Sequence, residues 1–281
     1  MPAEDETHRS IGRIQALFDL SERVAVITGG AGLLGLQHAA VVQELGAVPI
    51  LLDIDKAGLE NAVSKGIVEV VNALTCDITS PQEVDRTCNS IMSRFGRIDV
   101  LINNAANNPK AEGQLDQMSR LETFGVDQWW ADINVGLTGA FLCSQRFGLA
   151  MLENQKGVIL NMSSDLGIIS PDQRIYVDED FMGPSPPVKP VTYSVVKAGL
   201  IGLTKYLATY WAPAIRVNAL APGGVEANQE AAFVKRLTNL IPLGRMAYRD
   251  EYQAAVAFMI SDASSYMTGA VVSVDGGRTT W

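Results

Sequence analysis

The sequence predicts an α/β fold in which a single domain, residues 20–281, is built on a doubly wound parallel sheet of about seven strands with helices on both faces. Two observations support this prediction. Short apolar, β-branched runs alternate with longer stretches of helical spacing, which is the pattern of repeated strand–helix–strand units. Most of the runs are apolar at every position, as is typical of strands covered on both sides.

The strand-like runs and the longest helices can be located along the chain. The strands are expected at 23–27, 48–52, 68–73, 99–103, 157–162, 215–220 and 270–274. The longest helices are expected at 127–154 and 192–212, and another is expected to begin at Pro81 and to end at Gly96. Residues 1–20 are expected to be a tail or a short edge helix.

Composition and charge restrict the classes of function. A net charge of −9 and a pI near 4.8 oppose binding to nucleic acid or to an anionic membrane surface. A membrane-spanning helix needs about 18 consecutive apolar residues, and the sequence contains no such run. Cys76, Cys88 and Cys143 form no CxxC pair, and the only histidines are His8 and His38, so no metal site is expected. An odd number of cysteines without a signal peptide favours reduced thiols and a cytoplasmic location. Chemistry on a small molecule is the expected function.

A glycine-rich segment, TGGAGLLG at 28–35, follows the first predicted strand and leads into a helix. Glycine lets the backbone approach a pyrophosphate closely, and the helix N-terminus offers free amide groups to the anion. The lysine of a nucleoside-triphosphate loop is absent from this segment, so a dinucleotide is the expected ligand.

An acidic residue follows the second predicted strand. Asp53 lies 24 positions after Gly29 (53 − 29), near the spacing at which a carboxylate binds the adenosine ribose of a dinucleotide. A carboxylate accepts hydrogen bonds from both ribose hydroxyls of NAD but repels the extra phosphate of NADP, and Ile54 supplies no compensating cation. The sequence therefore predicts NAD as the cofactor, the alternative being that Asp53 is only a solvated turn residue.

A tyrosine and a lysine lie four positions apart in YSVVK, residues 193–197. On a helix this spacing puts Tyr193 and Lys197 on one face, within reach of the same small ligand. The spacing alone also fits an ordinary surface pair, so the rest of the sequence has to decide between the two.

Six segments, in order along the chain, resemble motifs of the short-chain dehydrogenase/reductase family, and together they extend the resemblance over residues 20–281. They are NNAA at 103–106, INVGLTGAF at 133–141, LNMSS at 160–164, YSVVK at 193–197, RVNALAPGGV at 216–225 and SSYMTGAVVSVDGG at 264–277. The resemblance implies a Rossmann-type fold and an oxidoreductase acting on CH–OH groups. It also implies a homotetramer, or a homodimer, as the assembly.

The resemblance also implies a role for each matching residue. Tyr193 is expected to be the general acid or base, and Lys197 the cation that favours its phenolate and binds the nicotinamide ribose. Ser164 is expected to hold the substrate oxygen, and Asn134 to anchor a water that carries the proton outward. Cofactor contacts are expected from Gly29, Gly30, Gly32, Leu33, Leu34, Asp53, Asp77, Ile78, Asn104, Ala105, Ala106, Tyr193, Lys197, Pro222, Gly223 and Val225.

The glycine-rich turn and two neighbouring positions depart from the family pattern or have a second explanation. Leu33 stands where the family turn has a glycine, and Gly32 lies one position earlier, so the turn is expected to bend differently. Ala106 replaces another family glycine. Asp77 resembles the adenine-contacting aspartate of the family, although a residue at a helix start explains it almost as well.

The longest departure lies between the serine and the tyrosine. Ser164 and Tyr193 are 29 positions apart (193 − 164), which is more than is usual in the family and leaves an insert at about 166–190 over the substrate side. Its polar residues favour a hydroxyl-rich substrate, unless the insert is a solvated surface excursion; they are Asp172, Gln173, Arg174, Tyr176, Asp178, Glu179 and Asp180. The insert and the following helix resemble a subgroup of flagellin-modification or surface-sugar oxidoreductases, which implies a place in carbohydrate biosynthesis.

The first hypothesis is therefore an NAD-dependent enzyme that interconverts a secondary alcohol and a ketone on a sugar or another polar hydroxylated compound. Two alternatives stay open at this point. One is an NADPH-dependent 3-oxoacyl carrier-protein ketoreductase, which Asp53 and the absence of a basic docking patch oppose. The other is a non-catalytic dinucleotide sensor, for which Tyr193 and Lys197 would be unnecessary.

Overall fold

A computed structural model describes residues 14–107, 119–177, 181–183 and 185–281. The strands are β1 (Val24–Thr28), β2 (Val48–Asp53), β3 (Ala73–Thr75), β4 (Val100–Asn103), β5 (Gly157–Met162), β6 (Ile215–Pro222) and β7 (Val271–Val274). They form one parallel sheet in the order β3-β2-β1-β4-β5-β6-β7. The predicted doubly wound α/β fold is confirmed, and the strand order reverses between β1 and β4.

Helices cover both faces of this sheet. They are α1 (Ile14–Phe18), α2 (Leu33–Glu44), α3 (Lys56–Ser64), α4 (Pro81–Phe95), α5 (Val126–Ile133), α6 (Gly139–Glu153), α7 (Val191–Tyr210), α8 (Ala231–Thr238) and α9 (Gln253–Ile260). One buried apolar cluster lies under α4, α6 and α7, and a second lies under α2, α3 and α9. The core therefore consists of two layers with the sheet between them.

The burial of β1 shows why the strands have nearly uniform apolar sequences. Val24 and Val26 belong to the first cluster, whereas Ala25 and Ile27 belong to the second. Successive side chains of a strand point to opposite faces, so a strand buried on both faces needs an apolar residue at every position. This is the physical basis of the sequence pattern that predicted the sheet.

The third predicted strand is wrong in its position. Residues 70–72 form a 3₁₀ turn, and β3 begins only at Ala73, pairing with Leu51 of β2. Val70 and Val71 are exposed, and the Arg94 side chain donates to the Val71 carbonyl and to the Asn72 side chain at the end of this turn. An edge strand has a partner on one side only, so its β-branched residues do not have to be buried.

The helix expected at 127–154 is interrupted. Asn134–Thr138 forms a π-helical turn between α5 and α6, closed by the amide of Gly139 donating to the carbonyl of Asn134. The span Val126–Glu153 passes a test for membrane crossing by length and composition, since its most apolar 18-residue window has a mean hydropathy of 1.2. Half of its apolar window is buried inside the protein, and core helices of this kind pass the same test.

The packing of α6 on the end of α7 gives a test of the core. A methyl group at Gly148 would lie 2.5 Å from the Trp211 ring, whereas a methyl at Gly202, on α7, would meet nothing within 4 Å. We expect Gly148→Ala to lower the free energy of unfolding by about 1–3 kcal/mol through overpacking. Gly202→Ala, the matched helix-interior control, should raise it by up to about 1 kcal/mol. Chemical denaturation of both variants checks this, and equal effects would contradict the packing described.

Candidate active site

A cavity of about 810 Å³ opens at the carboxyl ends of the strands. Its wall contains Gly29 after β1, Asp53 at the end of β2, Asn104 after β4, Ser164 after β5 and Gly223 after β6. In open parallel sheets, ligands bind at this edge where the strand order reverses. The topology thus brings together residues that are far apart in sequence.

The glycine-rich turn is shaped for close packing at the floor of the cavity. Gly29 has φ +62°, and Gly32 caps the N-terminus of α2. A methyl group on Gly35 would lie 2.2 Å from the carbonyl oxygen of Gly29, so only glycine fits there. The first-turn amides of α2 have no acceptor within the helix and offer an anion site. Gly35 thus lets the start of α2 pack closely against the turn, although Leu33 stands where the family has a glycine. The turn fits a dinucleotide pyrophosphate.

Asn104 fixes the glycine-rich turn to the end of β4. Its side-chain amide donates to the carbonyls of Thr28 and Gly29, at 3.1 and 3.0 Å. In return, the Thr28 hydroxyl accepts the backbone amides of Asn104 and Ala105, at 3.0 and 3.1 Å. The NNAA segment therefore holds the turn in place as well as lining the cavity.

Asp53 is held so that its carboxylate faces the cavity. Oδ2 accepts the amide of Ala31 at 3.0 Å, and Oδ1 accepts the amide of Asp55 at 3.0 Å. Both oxygens retain lone pairs for further donors. The next residue, Ile54, is 71% exposed and brings no positive charge to this end of the cavity. The position fits a ribose diol.

Most of the sequence-predicted cofactor residues lie in the cavity wall. They are Gly29, Gly32, Leu33, Leu34, Asp53, Asp77, Ile78, Asn104, Ala105, Ala106, Tyr193, Lys197, Pro222, Gly223 and Val225. Gly30 is not in the wall, because it packs against β2, where a methyl would lie 2.7 Å from the Leu51 Cβ. Asp77 lines the cavity, and its carboxylate also accepts hydrogen bonds from the backbone amide and the hydroxyl of Thr79. Its position therefore fits both an adenine contact and a residue at a helix start.

Ser164, Tyr193 and Lys197 meet at the other end of the cavity. The Ser164 hydroxyl hydrogen-bonds the Tyr193 phenol, and the ammonium of Lys197 lies 5.8 Å from the centre of the Tyr193 ring. The same ammonium donates to the carbonyl of Met162, the last residue of β5, at 2.7 Å. Lys197 is almost fully buried, so this bond offsets part of the cost of burying its charge.

Burial dominates the proton affinities of this group. It raises the pKa of Tyr193, and the Asp165 carboxylate raises it further, whereas the hydrogen bond with Ser164 lowers it. Burial also lowers the pKa of Lys197 to about 8, with a contribution from the nearby Lys189. A phenolate at neutral pH therefore requires more positive charge than Lys197 supplies. A cationic nicotinamide beside the phenol provides such a charge when it is bound.

Comparison with known proteins decides the family. Residues 23–176 match the family model described as short chain dehydrogenase, and residues 185–279 match the one described as enoyl-(acyl carrier protein) reductase. The chain belongs to the short-chain dehydrogenase/reductase family. It is 31% identical to the D-threitol dehydrogenase of Mycolicibacterium smegmatis, over 93% of this chain and 95% of that one. It is 33% identical to the 3-oxoacyl-(acyl-carrier-protein) reductase FabG of Thermotoga maritima, over 92% and 98% of the two chains.

A solved structure shows the same architecture. The gluconate 5-dehydrogenase of Burkholderia cenocepacia, in complex with NADP and tartrate, superposes with a TM-score of 0.78 at 27% identity, over 94% of this chain and 98% of that chain. The similarity therefore extends over nearly the whole length of this short-chain dehydrogenase. The relatives include dehydrogenases of polyhydroxylated compounds as well as a ketoreductase of acyl chains.

Asn134 is the one predicted catalytic residue whose side chain lies outside the cavity wall. Its side chain is exposed, its carboxamide oxygen accepts the hydroxyl of Thr138 at 3.4 Å, and it does not line the cavity. Asn134 is the first residue of the π-helical turn, and its backbone carbonyl accepts the amide of Gly139 five positions later. Gly136 of this turn instead lies against Val196, where a methyl would be 2.4 Å from Cγ1.

A small cavity of about 10 Å³ adjoins Tyr193 and Lys197 on that side, and its polar lining was not predicted from the sequence. The Asp132 carboxylate is buried there. It accepts hydrogen bonds from the side-chain amide of Asn107 at 3.2 Å, from the side-chain amide of Gln128 at 2.8 Å and from the hydroxyl of Thr192. The Thr192 bond ties the start of α7 to the end of α5. It thereby fixes the backbone position from which Tyr193 extends.

Lys189 is a second cation beside Tyr193, and it was not predicted from the sequence. Its ammonium lies 4.1 Å from the centre of the Tyr193 ring, on the cavity wall. Burial lowers the pKa of Lys189 to about 8, although the Asp165 carboxylate acts in the opposite direction. The available signal was a lysine four positions before the tyrosine, in KPVTY, two residues before the start of α7.

The described part of the insert meets the expectation at Tyr176, which lines the cavity, and departs from it at Asp172, Gln173 and Arg174, which do not. Asp172 and Arg174 pair with each other on the surface, at 2.6 Å, and Gln173 accepts the amide of Lys189. Besides Tyr176, the described part of the insert presents Phe181, Pro187 and Lys189 to the cavity, and these three were not expected. Tyr176 packs on Phe233 of α8 with the ring centres 5.6 Å apart. The acidic residues 178–180 lie outside the described residues.

The exposed position of Asn134 gives a kinetic test. We expect Asn134→Ala to retain activity within about tenfold, since removing a group that takes part in proton transfer typically costs ~10²–10⁴-fold. Asn107→Ala is the matched amide deletion, and it should cost more because it removes a donor from the buried carboxylate of Asp132 beside Lys197. Steady-state kinetics of the two variants checks this. A larger loss for Asn134→Ala than for Asn107→Ala would contradict the placement of Asn134.

Proposed function

We propose that this chain is an NAD-dependent dehydrogenase that interconverts a secondary alcohol and a ketone on a polyol, a sugar or another small polar hydroxylated compound. The observation that carries the proposal is the convergence of Ser164, Tyr193 and Lys197 in one cavity with Asp53 at its far end. The similarity to dehydrogenases of threitol and gluconate supports the substrate class.

Each residue of the convergent group has a definable task in this reaction. The bound nicotinamide supplies the acceptor of the hydride. Tyr193 takes the proton from the carbinol oxygen, and Ser164 holds that oxygen in place. Lys197 places positive charge next to the phenol, and its bond to the Met162 carbonyl keeps that charge in position. The reverse steps reduce a ketone.

Asp53 supports NAD rather than NADP as the cofactor. Its carboxylate, anchored by the amides of Ala31 and Asp55, stands where an additional ribose phosphate would meet a like charge. The gluconate dehydrogenase of similar fold was solved with NADP, so the choice depends on the residues of this chain. Ile54 offers no cation to balance that phosphate.

A second candidate is a 3-oxoacyl carrier-protein reductase that uses NADPH, which the 33% identity to such an enzyme favours. Asp53 opposes it, as does the net charge of −9, since an acidic carrier protein needs a basic docking surface. Activity with a 3-oxoacyl thioester and NADPH, together with no activity on any polyol with NAD, would replace the first proposal by this one.

The assembly and location are proposed from the family likeness. The long helices α6 and α7 leave Phe141, Leu149, Tyr206 and Tyr210 exposed on the described monomer, which supports pairing through these helices into a homotetramer or a homodimer. A cytoplasmic location is proposed with it.

The role of Tyr193 is tested by removing its hydroxyl. We expect Tyr193→Phe to lower the rate of alcohol oxidation by at least ~10²-fold, because no other group takes the proton, while the Kd for NAD stays within about twofold. Tyr266→Phe, at a fully exposed phenol outside the cavity wall, is the matched control and should leave both quantities unchanged. Oxidation is followed by reduced-nicotinamide absorbance with a panel of polyols and sugars. Undiminished turnover of Tyr193→Phe would refute the assignment.

The role of Asp53 is tested by reversing the charge at the ribose end. We expect the wild-type protein to prefer NAD, and the double variant Asp53→Ser, Ile54→Arg to raise kcat/KM for NADP relative to NAD by at least ~10-fold, about 1.4 kcal/mol. Asp55→Ser removes a neighbouring negative charge while retaining a cap for α3, so it should not change the preference. A wild-type preference for NADP would contradict the proposal.

A further inference from the structure

The catalytic serine is hydrogen-bonded to a buried ion pair that its family motif does not contain. Ser164 Oγ donates to Asp165 Oδ1 at 2.7 Å, and the amide of Leu166 donates to the same oxygen at 2.8 Å. The guanidinium of Arg278 donates to Asp165 Oδ2 at 2.7 Å. The Arg278 and Asp165 side chains are only 6% and 4% exposed. The Ser164 hydroxyl is thus connected through Asp165 to Arg278, which lies 113 positions after Asp165 in the sequence.

The turn after β7 is built to return Arg278 to the cavity. Gly276 and Gly277 have φ +65° and +90°, and a methyl on Gly277 would lie 2.9 Å from Pro242. Asp275 accepts the amides of Gly277 and Thr279, both at 2.9 Å, which closes the turn. The C-terminal segment therefore forms part of the active-site wall of its own chain.

The pair lies within the charged surroundings of the catalytic phenol. The titratable and charged groups around Tyr193 are Lys189, Lys197, Asp165, Arg278, Tyr176 and Tyr252, together with Asp132 in the small cavity on its other side. An unbalanced carboxylate at Asp165 would disfavour a phenolate at Tyr193, whereas a guanidinium bonded to that carboxylate cancels most of its field. A buried ion pair is weak evidence for a role in stability, because desolvation offsets the attraction. Its bond to Ser164 indicates a role in the reaction.

We propose that Arg278 is a positioning residue of the active site: it neutralises Asp165 and holds it as the acceptor of the Ser164 proton. The pH at which Tyr193 ionises is then set by the balance of charge between Asp165 and Arg278. The inference rests on the proposed alcohol oxidation, in which Tyr193 acts as the base.

The sign of the effect can be worked out for each partner. Oxidation requires the Tyr193 phenolate, so kcat/KM rises with pH through the pKa of Tyr193. Arg278→Met leaves the Asp165 charge alone and should move this rise to higher pH by about one unit or more. Asp165→Asn retains an oxygen for Ser164 but leaves the Arg278 charge alone, so the rise should move to lower pH. The double variant removes both charges and should return the rise towards the wild-type pH.

Two controls separate this role from a structural one. Arg278→Lys keeps the charge and should keep the wild-type pH dependence within about half a unit. Arg174→Met, which removes an exposed arginine paired with Asp172, should leave it unchanged. Folding and NAD binding of each variant are measured alongside. Should Arg278→Met not fold, the acid-directed shift of Asp165→Asn still tests the proposal.

A readout that needs no turnover distinguishes failure of this inference from failure of the proposed function. Tyrosinate absorbance is titrated in each variant and in the same variant carrying Tyr193→Phe, and the difference reports Tyr193 alone. Shifts of opposite sign for Arg278→Met and Asp165→Asn support the inference even when no polyol is oxidised. Shifts of the same sign, or none, in folded protein would overturn it.

Discussion

The site depends on one interaction, the bond from the buried Lys197 ammonium to the Met162 carbonyl at 2.7 Å. It joins helix α7 to the end of strand β5, where the chain continues directly to Ser164. A buried ammonium without such an acceptor would lose its proton or leave the interior. The bond therefore fixes both the charge of Lys197 and the distance between the helix that carries Tyr193 and the strand that carries Ser164.

The two ends of the cavity use charge in opposite ways. At the ribose end, Asp53 is held by two backbone amides and meets no cation at Ile54. At the reacting end, Lys189 and Lys197 flank a phenol, while the Asp165 charge is balanced by Arg278. In the proposed reaction one end selects the cofactor and the other stabilises a developing anion, and the parallel sheet sets the separation between them.

The sequence predicted the features that arise from local pattern. The buried strands were located to within about a residue, because two-sided burial requires an apolar residue at each position. Val70 and Val71 misled the strand prediction, since an edge segment leaves such residues exposed. Gly136 of the π-helical turn lies against Val196 of α7, and the Arg278–Asp165 pair joins residues 113 positions apart. Neither contact has a local signal, because each is created only when distant elements pack together.

The central claim is that one bound dinucleotide lies between Asp53 and the group formed by Ser164, Tyr193 and Lys197. A crystal structure of the protein with NAD tests it most directly. The account predicts the adenosine ribose at the Asp53 carboxylate, the pyrophosphate at the start of α2 and the nicotinamide ring facing the Tyr193 hydroxyl. A nicotinamide bound away from Tyr193, or an adenosine ribose without contact to Asp53, would contradict it.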